Sequence, residues 1–284
     1  MSAQWVHDNR LVCSGGKTKL LVVSTPALRQ ARLPDAELQI QVCGKTVVES
    51  KCEKILGVLL NNRLSWSSHM YGDNSDPTRK PLPGIVTTLS KRVGMMRRLS
   101  RLLPKERLKM IANGIFMSTV LYCLQLFGAL WGVGTMQEEE PRHESFTVAN
   151  VKILQILQNR VMRTITGNDN RTPVHQLLTD SGWLSIHQLI SYTTILTVYK
   201  IIKTGEPVGL ANRLGRGQVG AGRGRHELDI QVQGRLNVTR EGLVYRGGVM
   251  WNSLPIAIRQ EHSLPSFKKR VKTWIKENVA QTIN

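Results

Sequence analysis

Acidic side chains are scarce in this sequence. Its 284 residues include 20 Asp and Glu against 39 Lys and Arg, which gives a formal net charge of +19. Such an excess repels itself in a compact fold unless a polyanion neutralises it. Nucleic acid is therefore the leading partner, and an anionic membrane is the second. Because 41% of the residues are apolar, most of the chain is expected to fold rather than stay disordered.

Cysteine is equally sparse. The four cysteines, Cys13, Cys43, Cys52 and Cys123, have no C-x-x-C spacing and no nearby histidine pair. This pattern argues against a zinc finger and against a disulfide scaffold. The cysteines are typical of reduced thiols in an intracellular protein, and nothing in the sequence separates a nuclear from a cytoplasmic location.

The sequence lacks carboxylates grouped for metal-dependent chemistry. Nucleotidyl transfer with two divalent metals requires two or three converging carboxylates, and the only adjacent acids, Glu138–Glu140, predict a solvated turn. Gly15–Thr18 has part of a phosphate-loop pattern, but Leu11 occupies the position of the first glycine that this motif requires. We therefore predict no catalytic residue and no metal site in this chain.

One long run has no charge at all, from Met110 to Gln137. It is long enough to span a bilayer. It also contains Asn113, Gln125 and four glycines, so we expect a buried hairpin of helices and no membrane contact, with a membrane span as the alternative.

Alternating and apolar runs predict strands in the first 60 residues. Leu38–Val42 and Thr46–Val48 form a predicted hairpin, and Lys19–Val23 and Lys54–Leu60 are predicted as further strands. Residues 72–84 have the composition of a loop, and the pattern then becomes helical.

A second loose stretch, 205–225, contains seven glycines and four arginines, typical of a linker or of a basic segment that folds on binding. The predicted fold is α+β and mainly helical, with a small set of antiparallel strands before the helices. The predicted regions are 1–71, 85–204 and 226–284.

The strongest electrostatic feature is the helix predicted over 89–103. Its apolar residues fall on one side, and no acid occurs between Asp76 and Glu106, whereas a merely soluble helix interleaves Glu for pairing. We predict that its cations contact phosphates, with a solvated charged face as the alternative. These cations are Lys91, Arg97, Arg98 and Arg101.

A second basic helix is predicted at the C-terminal end, with Ser263 as its cap. The end of a helix favours lysine for reasons of its dipole alone, so the argument for phosphate contact is weaker here. Its candidate nucleic-acid ligands are Lys268, Lys269, Arg270 and Lys272.

Several short segments then resemble, in their order, the reverse transcriptases of non-LTR (LINE-type) retrotransposons. The resemblance covers nearly the whole chain. The segments are Trp5–Leu11, Lys17–Val23, Glu53–Leu60, Leu64–His69, Leu121–Tyr122, Trp131–Gly132, Ile153–Arg160, Arg163–Gly167, Trp251–Pro255 and Ser263–Lys268.

The resemblance implies that the strands are the remnant of a polymerase palm and that the helices after residue 85 are the thumb. The fingers and most of the palm, with the family's catalytic aspartates, have no counterpart, so the chain resembles a truncated polymerase. The intact family enzyme is an RNA-directed DNA polymerase that uses Mg²⁺. The chain alone is expected to be inactive and to hold no cofactor.

The resemblance also assigns roles to single residues. Lys17, with Lys19 as the alternative, corresponds to a palm-edge lysine near the incoming nucleotide. Lys54 and Gly57 belong to the primer-grip strand, where glycine suits the close approach of another backbone. The cations of 91–101 are expected to follow the minor groove of the template–primer duplex.

The expected function is therefore the binding of RNA and DNA as a template–primer duplex. Three alternatives stay open: a non-enzymatic nucleic-acid-binding protein adopted by the host, a relic without a role, and a part that complements a separate palm in trans.

Overall fold

The structure is a computed structural model, and it describes residues 8–10, 17–32, 37–42, 44–74, 80–122, 124, 148–214, 228–230 and 242–279. The chain divides into two compact units, Met1–Gly84 and Ile85–Asn284. Helices dominate and the few strands are short, so the predicted α+β, mainly helical class is confirmed. The predicted regions 85–204 and 226–284 fall within the same unit, and their separation stays a prediction.

Some sequence features lie outside the described residues. They are Cys13, Cys43, Cys123, Gly15–Gly16, Glu138–Glu140, Trp131–Gly132 and the second half of the charge-free run. Among the helices that are described, none is both long and apolar enough to cross a membrane.

The first unit contains a three-stranded sheet. Strands β1 (Leu20–Leu21), β2 (Gln39–Val42) and β3 (Lys45–Ser50) lie in the order β1-β3-β2. The predicted hairpin is confirmed because β2 and β3 pair antiparallel, whereas β1 joins β3 in parallel.

A helix is linked to this sheet by an ion pair with one residue of β3. Helix α1 (Pro26–Arg32) brings Arg29 to Glu49, and the guanidinium donates to both carboxylate oxygens at 2.5 and 2.9 Å. The hydrogen bond from Arg29 holds the pKa of Glu49 below its ordinary value.

The prediction of one strand over Lys54–Leu60 was wrong. The chain forms two antiparallel strands, β4 (Cys52–Ile55) and β5 (Val58–Asn61), joined by Leu56 and Gly57. Both turn residues have positive φ, 48° and 88°. Such a two-residue turn matches the twist of the paired strands, but it normally contains Asn or Gly, and the leucine made the segment resemble a continuous apolar strand.

The first unit ends in a close crossing of two backbone segments. After helix α2 (Ser67–Tyr71), the two-residue strands β6 (Gly72–Asp73) and β7 (Leu82–Pro83) pair inside the predicted loop. A Cβ on Gly84 would lie 2.4 Å from the backbone nitrogen of Gly72. No side chain fits there, so glycine is required at the boundary between the units.

The second unit is built from helices. They are α3 (Ile85–Leu99), α4 (Lys105–Ile111), a π-helical segment (Ala112–Met117), α5 (Ser118–Leu121), α6 (Val148–Thr166), α7 (Val174–Ser181), α8 (Ile186–Thr204), α9 (Val208–Arg213), α10 (Leu243–Ser253), α11 (Ile256–Arg259) and α12 (Leu264–Asn278). Helix α3 packs on α6, and α8 packs on α10 and α12. Helix α9 lies within the predicted loose stretch, so that prediction was wrong for 208–213.

Buried amides fix the turn between α7 and α8. Gln158, fully buried on α6, donates to the carbonyl of Leu184 at 2.9 Å, and Gln155 accepts from the amide of Ile186 at 2.8 Å. Ser185 and Gln188 cap α8 reciprocally. The end of α7 is thereby held in one place.

The basic helix predicted at the C-terminal end is present as α12, which runs from Leu264 to Asn278. Phe267, Val271 and Ile275 are buried, and Phe267 stacks on Tyr199 of α8 with 4.0 Å between ring centroids. The predicted side-chain cap was wrong, since Ser263 accepts no capping hydrogen bond. The carboxylate of Glu261 accepts instead from the Ser263 amide at 3.3 Å and the Ser266 hydroxyl at 2.8 Å.

Candidate nucleic-acid interface

Helix α3 carries the predicted cations, which we call the α3 stripe: Lys91, Arg97, Arg98 and Arg101. All four side chains are exposed, whereas Leu89, Val93 and Met96 are buried on the other side of the helix. Within the described part of the chain, none of the four forms an ion pair with a carboxylate. The α3 stripe is therefore an accessible set of cations that no carboxylate of the described residues neutralises.

The structure corrects the helix that carries the stripe. It begins at Ile85 and ends at Leu99, where the sequence predicted 89–103. Arg101 consequently lies in the turn after the helix and not on its face.

Arg92, next to Lys91, has a different role. It is half-buried, and one guanidinium nitrogen donates to the carbonyl of Ile115 and the hydroxyl of Thr119. These contacts tie α3 to the π-helical segment and to α5. Arg92 is thus a structural residue inside a basic sequence, and it does not belong to the α3 stripe.

The predicted cations of α12 are also exposed, but two of them have partners. Arg270 donates to the carbonyl of Ala257 at 2.7 Å and lies 3.6 Å from the carboxylate of Glu261. Lys272 reaches the carbonyl of Gly182 at 3.5 Å, a long hydrogen bond. Lys268 and Lys269 are exposed on the same helix.

Sequence reasoning missed two lysines near these sites, Lys105 and Lys109. Lys105 on α4 donates to the carbonyl of Thr166 at 2.7 Å. Lys109 follows one helical turn later, and its Nζ lies 3.9 Å from the position that a Cβ on Gly182 would take. Lys276 lies one turn after Lys272. The i, i+4 spacing of Lys105 and Lys109 was the available signal.

Burial and charge act together on Lys272. Burial, followed by the charges of Lys276 and Lys109, holds its pKa below the ordinary value. The ammonium groups of Lys109 on α4 and Lys272 on α12 therefore lie near each other, although the two helices lie far apart in the sequence.

The remaining predicted residues lie in the first unit. Lys17 is exposed in a turn before β1, and Lys54 is exposed on β4. Burial and then the charge of Lys54 hold the pKa of His69 below its ordinary value. Gly57 was expected inside a strand, but its φ of 88° places it in the β4–β5 turn, which by itself explains the glycine.

The described residues contain no group of side chains that could bind a metal ion. Within them, no three His, Cys, Asp or Glu side chains come together in a way that could hold an ion. The prediction that this chain holds no cofactor stays a prediction, and no step of the account depends on Mg²⁺.

Compared with protein-family models, with curated proteins and with solved structures, the chain gave no match.

Proposed function

We propose that this chain binds duplex nucleic acid through its phosphates, as the palm-edge, primer-grip and thumb part of a non-LTR reverse transcriptase. One observation carries the binding proposal: the four cations of the α3 stripe are exposed and lack carboxylate partners among the described residues. Binding of this kind is independent of base sequence.

The physical reason lies in the counterions of the duplex. Each Lys or Arg that neutralises a phosphate releases a condensed cation, so the affinity falls with salt by a slope of about 0.9 for each contact. Exposed arginine and lysine side chains on a helix reach phosphates with little rearrangement of the protein. Arg92, held by two internal acceptors, does not take part.

The family part of the proposal depends on the order of the segments described above. A small strand-rich first unit followed by a helical second unit is compatible with a palm edge followed by a thumb. In that assignment the catalytic aspartates and their Mg²⁺ belong to another part of the polymerase. The role of this chain is to hold the template–primer duplex of RNA and DNA.

A second candidate function is the completion of a separate palm in trans. Exposed apolar side chains in the first unit favour it: Val23, Ile40, Val48, Ile55 and Leu56 are each more than 40% exposed. A separate palm that covered these side chains would remove apolar surface from water. A nucleic-acid-binding protein adopted by the host would use the same α3 stripe. No further feature of the structure distinguishes that alternative.

The binding test uses the full chain and a labelled duplex. Changing the α3 stripe to glutamate at all four positions is expected to lower the affinity at least about 600-fold at about 0.15 M salt, since each of the four contacts is worth about fivefold there. Fluorescence anisotropy measures the affinity, and circular dichroism checks that the variant folds.

A matched control separates local contact from overall charge. Lys152, Arg160, Arg171 and Lys200 are exposed on other parts of the second unit, and changing these four to glutamate alters the net charge by the same amount. We expect the control to lose much less affinity. Equal losses in both variants, or a wild-type chain that does not bind, would refute the proposal.

A further inference from the structure

Two lysines from two helices meet at the end of a third helix, and another lysine stands one helical turn from them. Lys109 extends from α4 and Lys272 from α12, and both ammonium groups reach Gly182, which follows α7. Lys276 stands one turn after Lys272 on α12. We call this set the lysine cluster: Lys109, Lys272 and Lys276.

The position of the lysine cluster is fixed by the surrounding fold. Asn113, one turn after Lys109, accepts the indole N–H of Trp183 at 3.0 Å. The buried amide of Gln158 holds Leu184 from the other side. The chain from Gly182 to Leu184 is thus tied to α4 and to α6, so the backbone that carries Lys109 is held beside Gly182.

The charge of the cluster exceeds what the helix end requires. The C-terminus of α7 carries about half a negative charge, and one lysine near it is enough. The ammonium groups of Lys109 and Lys272 lie there, with Lys276 one turn further along α12, and the acceptor that the described residues offer is the Gly182 carbonyl, 3.5 Å from Lys272. Asp180, the nearest acid along α7, accepts instead from Asn168 at 2.6 Å.

We infer that Lys109, Lys272 and Lys276 bind one backbone phosphate of a nucleic acid together, which makes α4 and α12 parts of a single binding surface. The inference rests on the proposed function and extends it, since the sequence had placed the α3 stripe and the α12 cations in two unconnected regions. Lysines suit this role because each ammonium acts as a compact point charge toward a phosphate.

The consequence is a continuous basic path across the second unit. It runs from Arg97 and Arg101 at the end of α3 to Lys105 and Lys109 on α4, and then to α12. Lys105 keeps two ammonium protons free for a ligand after its bond to Thr166. A strand held along this path contacts both basic regions at once.

The test measures the salt dependence of duplex binding by the full chain with single and double glutamine variants. Lys109→Gln and Lys272→Gln are each expected to lower the slope of log K against log salt by at most about 0.9, because the cluster holds a single phosphate, and to lower the affinity by at most about fivefold at about 0.15 M salt. The double variant is expected to lose less than the product of the two, because both lysines hold one phosphate.

Lys200→Gln is the matched control, since Lys200 is exposed on α8 and has no part in the cluster. It is expected to leave the slope unchanged. Thermal unfolding of all four variants checks that the fold survives.

Nuclear magnetic resonance of the Lys272 ammonium gives a second readout. Lys109→Gln is expected to raise the pKa of Lys272, because one of the charges that lowers it is removed. Adding the duplex to the wild-type chain is also expected to raise that pKa, whereas a lysine that only caps α7 does not respond.

Two failures can be told apart. A wild-type chain that does not bind the duplex refutes the proposed function and this inference with it. A wild-type chain that binds, with cluster variants that behave as Lys200→Gln does, overturns the inference alone. Competition by polyglutamate as strong as that by an unlabelled duplex of equal charge would overturn the assignment to nucleic acid.

Discussion

Among the described residues, Ile85–Asn284 buries 35 apolar side chains and exposes seven large ones, whereas Met1–Gly84 buries five and exposes eight. The second unit therefore has a hydrophobic core of ordinary depth, with helix packed on helix. The first unit has thin sheets of short strands. Because apolar burial drives folding, the contacts within the second unit stabilise it more than those within the first unit stabilise the first.

The two units also differ in their basic and acidic side chains. Residues 1–84 contain 11 basic and 7 acidic side chains, and residues 85–284 contain 28 and 13. The first unit uses Arg29 to hold Glu49. Among the described residues, the second unit presents the four cations of the α3 stripe without carboxylate partners. The following predictions test this contrast.

The largest effect is expected in the core of the second unit. Phe267 is fully buried between α12 and α8, so Phe267→Ala is expected to lower the free energy of unfolding by about 3–5 kcal/mol. Urea unfolding followed by circular dichroism measures the loss. Leu102→Ala is the control, since Leu102 is 78% exposed and its truncation is expected to cost less than about 0.5 kcal/mol. Similar losses for both would mean that α12 does not contribute to the core as described.

A smaller effect, of opposite sign, is expected in the first unit. Leu56 has a φ of 48° and is 86% exposed. Leu56→Asn creates the Asn-Gly pair that this turn prefers and is expected to stabilise the first unit by about 1 kcal/mol. Hydrogen exchange of the β4 and β5 amides reports the change. Ile55→Asn, the same replacement one residue earlier on the strand, is expected to give no gain, and a gain there instead would contradict the turn geometry.

The smallest effect concerns pH. His69 is buried in the first unit, and its folded pKa lies below its ordinary value of 6.5. Below pH 6.5 the unfolded chain takes up a proton that the folded chain resists, so stability is lost as the pH falls from 6.5 toward the folded pKa. Glu49, whose pKa is also lowered, adds a loss below its ordinary value of 4.5.

His69→Asn tests this contribution. The amide oxygen of asparagine can accept the Leu59 N–H in place of the ring nitrogen, which lies 3.4 Å from it. The variant is therefore expected to lose less stability than the wild type between about pH 7 and pH 5. Hydrogen exchange of the first unit, corrected for intrinsic rates, provides the comparison, and an unchanged pH dependence would rule out His69 as its source.

Periodicity was enough to predict the elements in which apolar residues repeat regularly. The presence of helix α12 and the β2–β3 hairpin followed from it. It failed at Leu56, because a leucine at positive φ leaves no mark in an apolar run. It also left out the π-helical segment, which depends on packing. Local pattern therefore predicts regular elements and misses the places where the tertiary structure sets the backbone.

Some residues of the candidate site could also be predicted from the sequence and others could not. The exposure of the α3 stripe followed from its helical spacing and from the absence of acids. The structural role of Arg92 did not, because its acceptors, Ile115 and Thr119, come from a later segment. Lys109 was missed because its neighbour Lys272 lies far away in the sequence, and only the folded chain brings their charges together.

The most direct test compares how much each of the two units contributes to duplex binding. We predict that Lys91→Gln with Arg98→Gln in the second unit lowers the slope of log K against log salt by about two, one for each lost phosphate contact. Lys17→Gln with Lys54→Gln in the first unit removes the same charge and is predicted to lower the slope by clearly less. A larger loss from the first-unit pair, with the second-unit pair unchanged, would contradict the account.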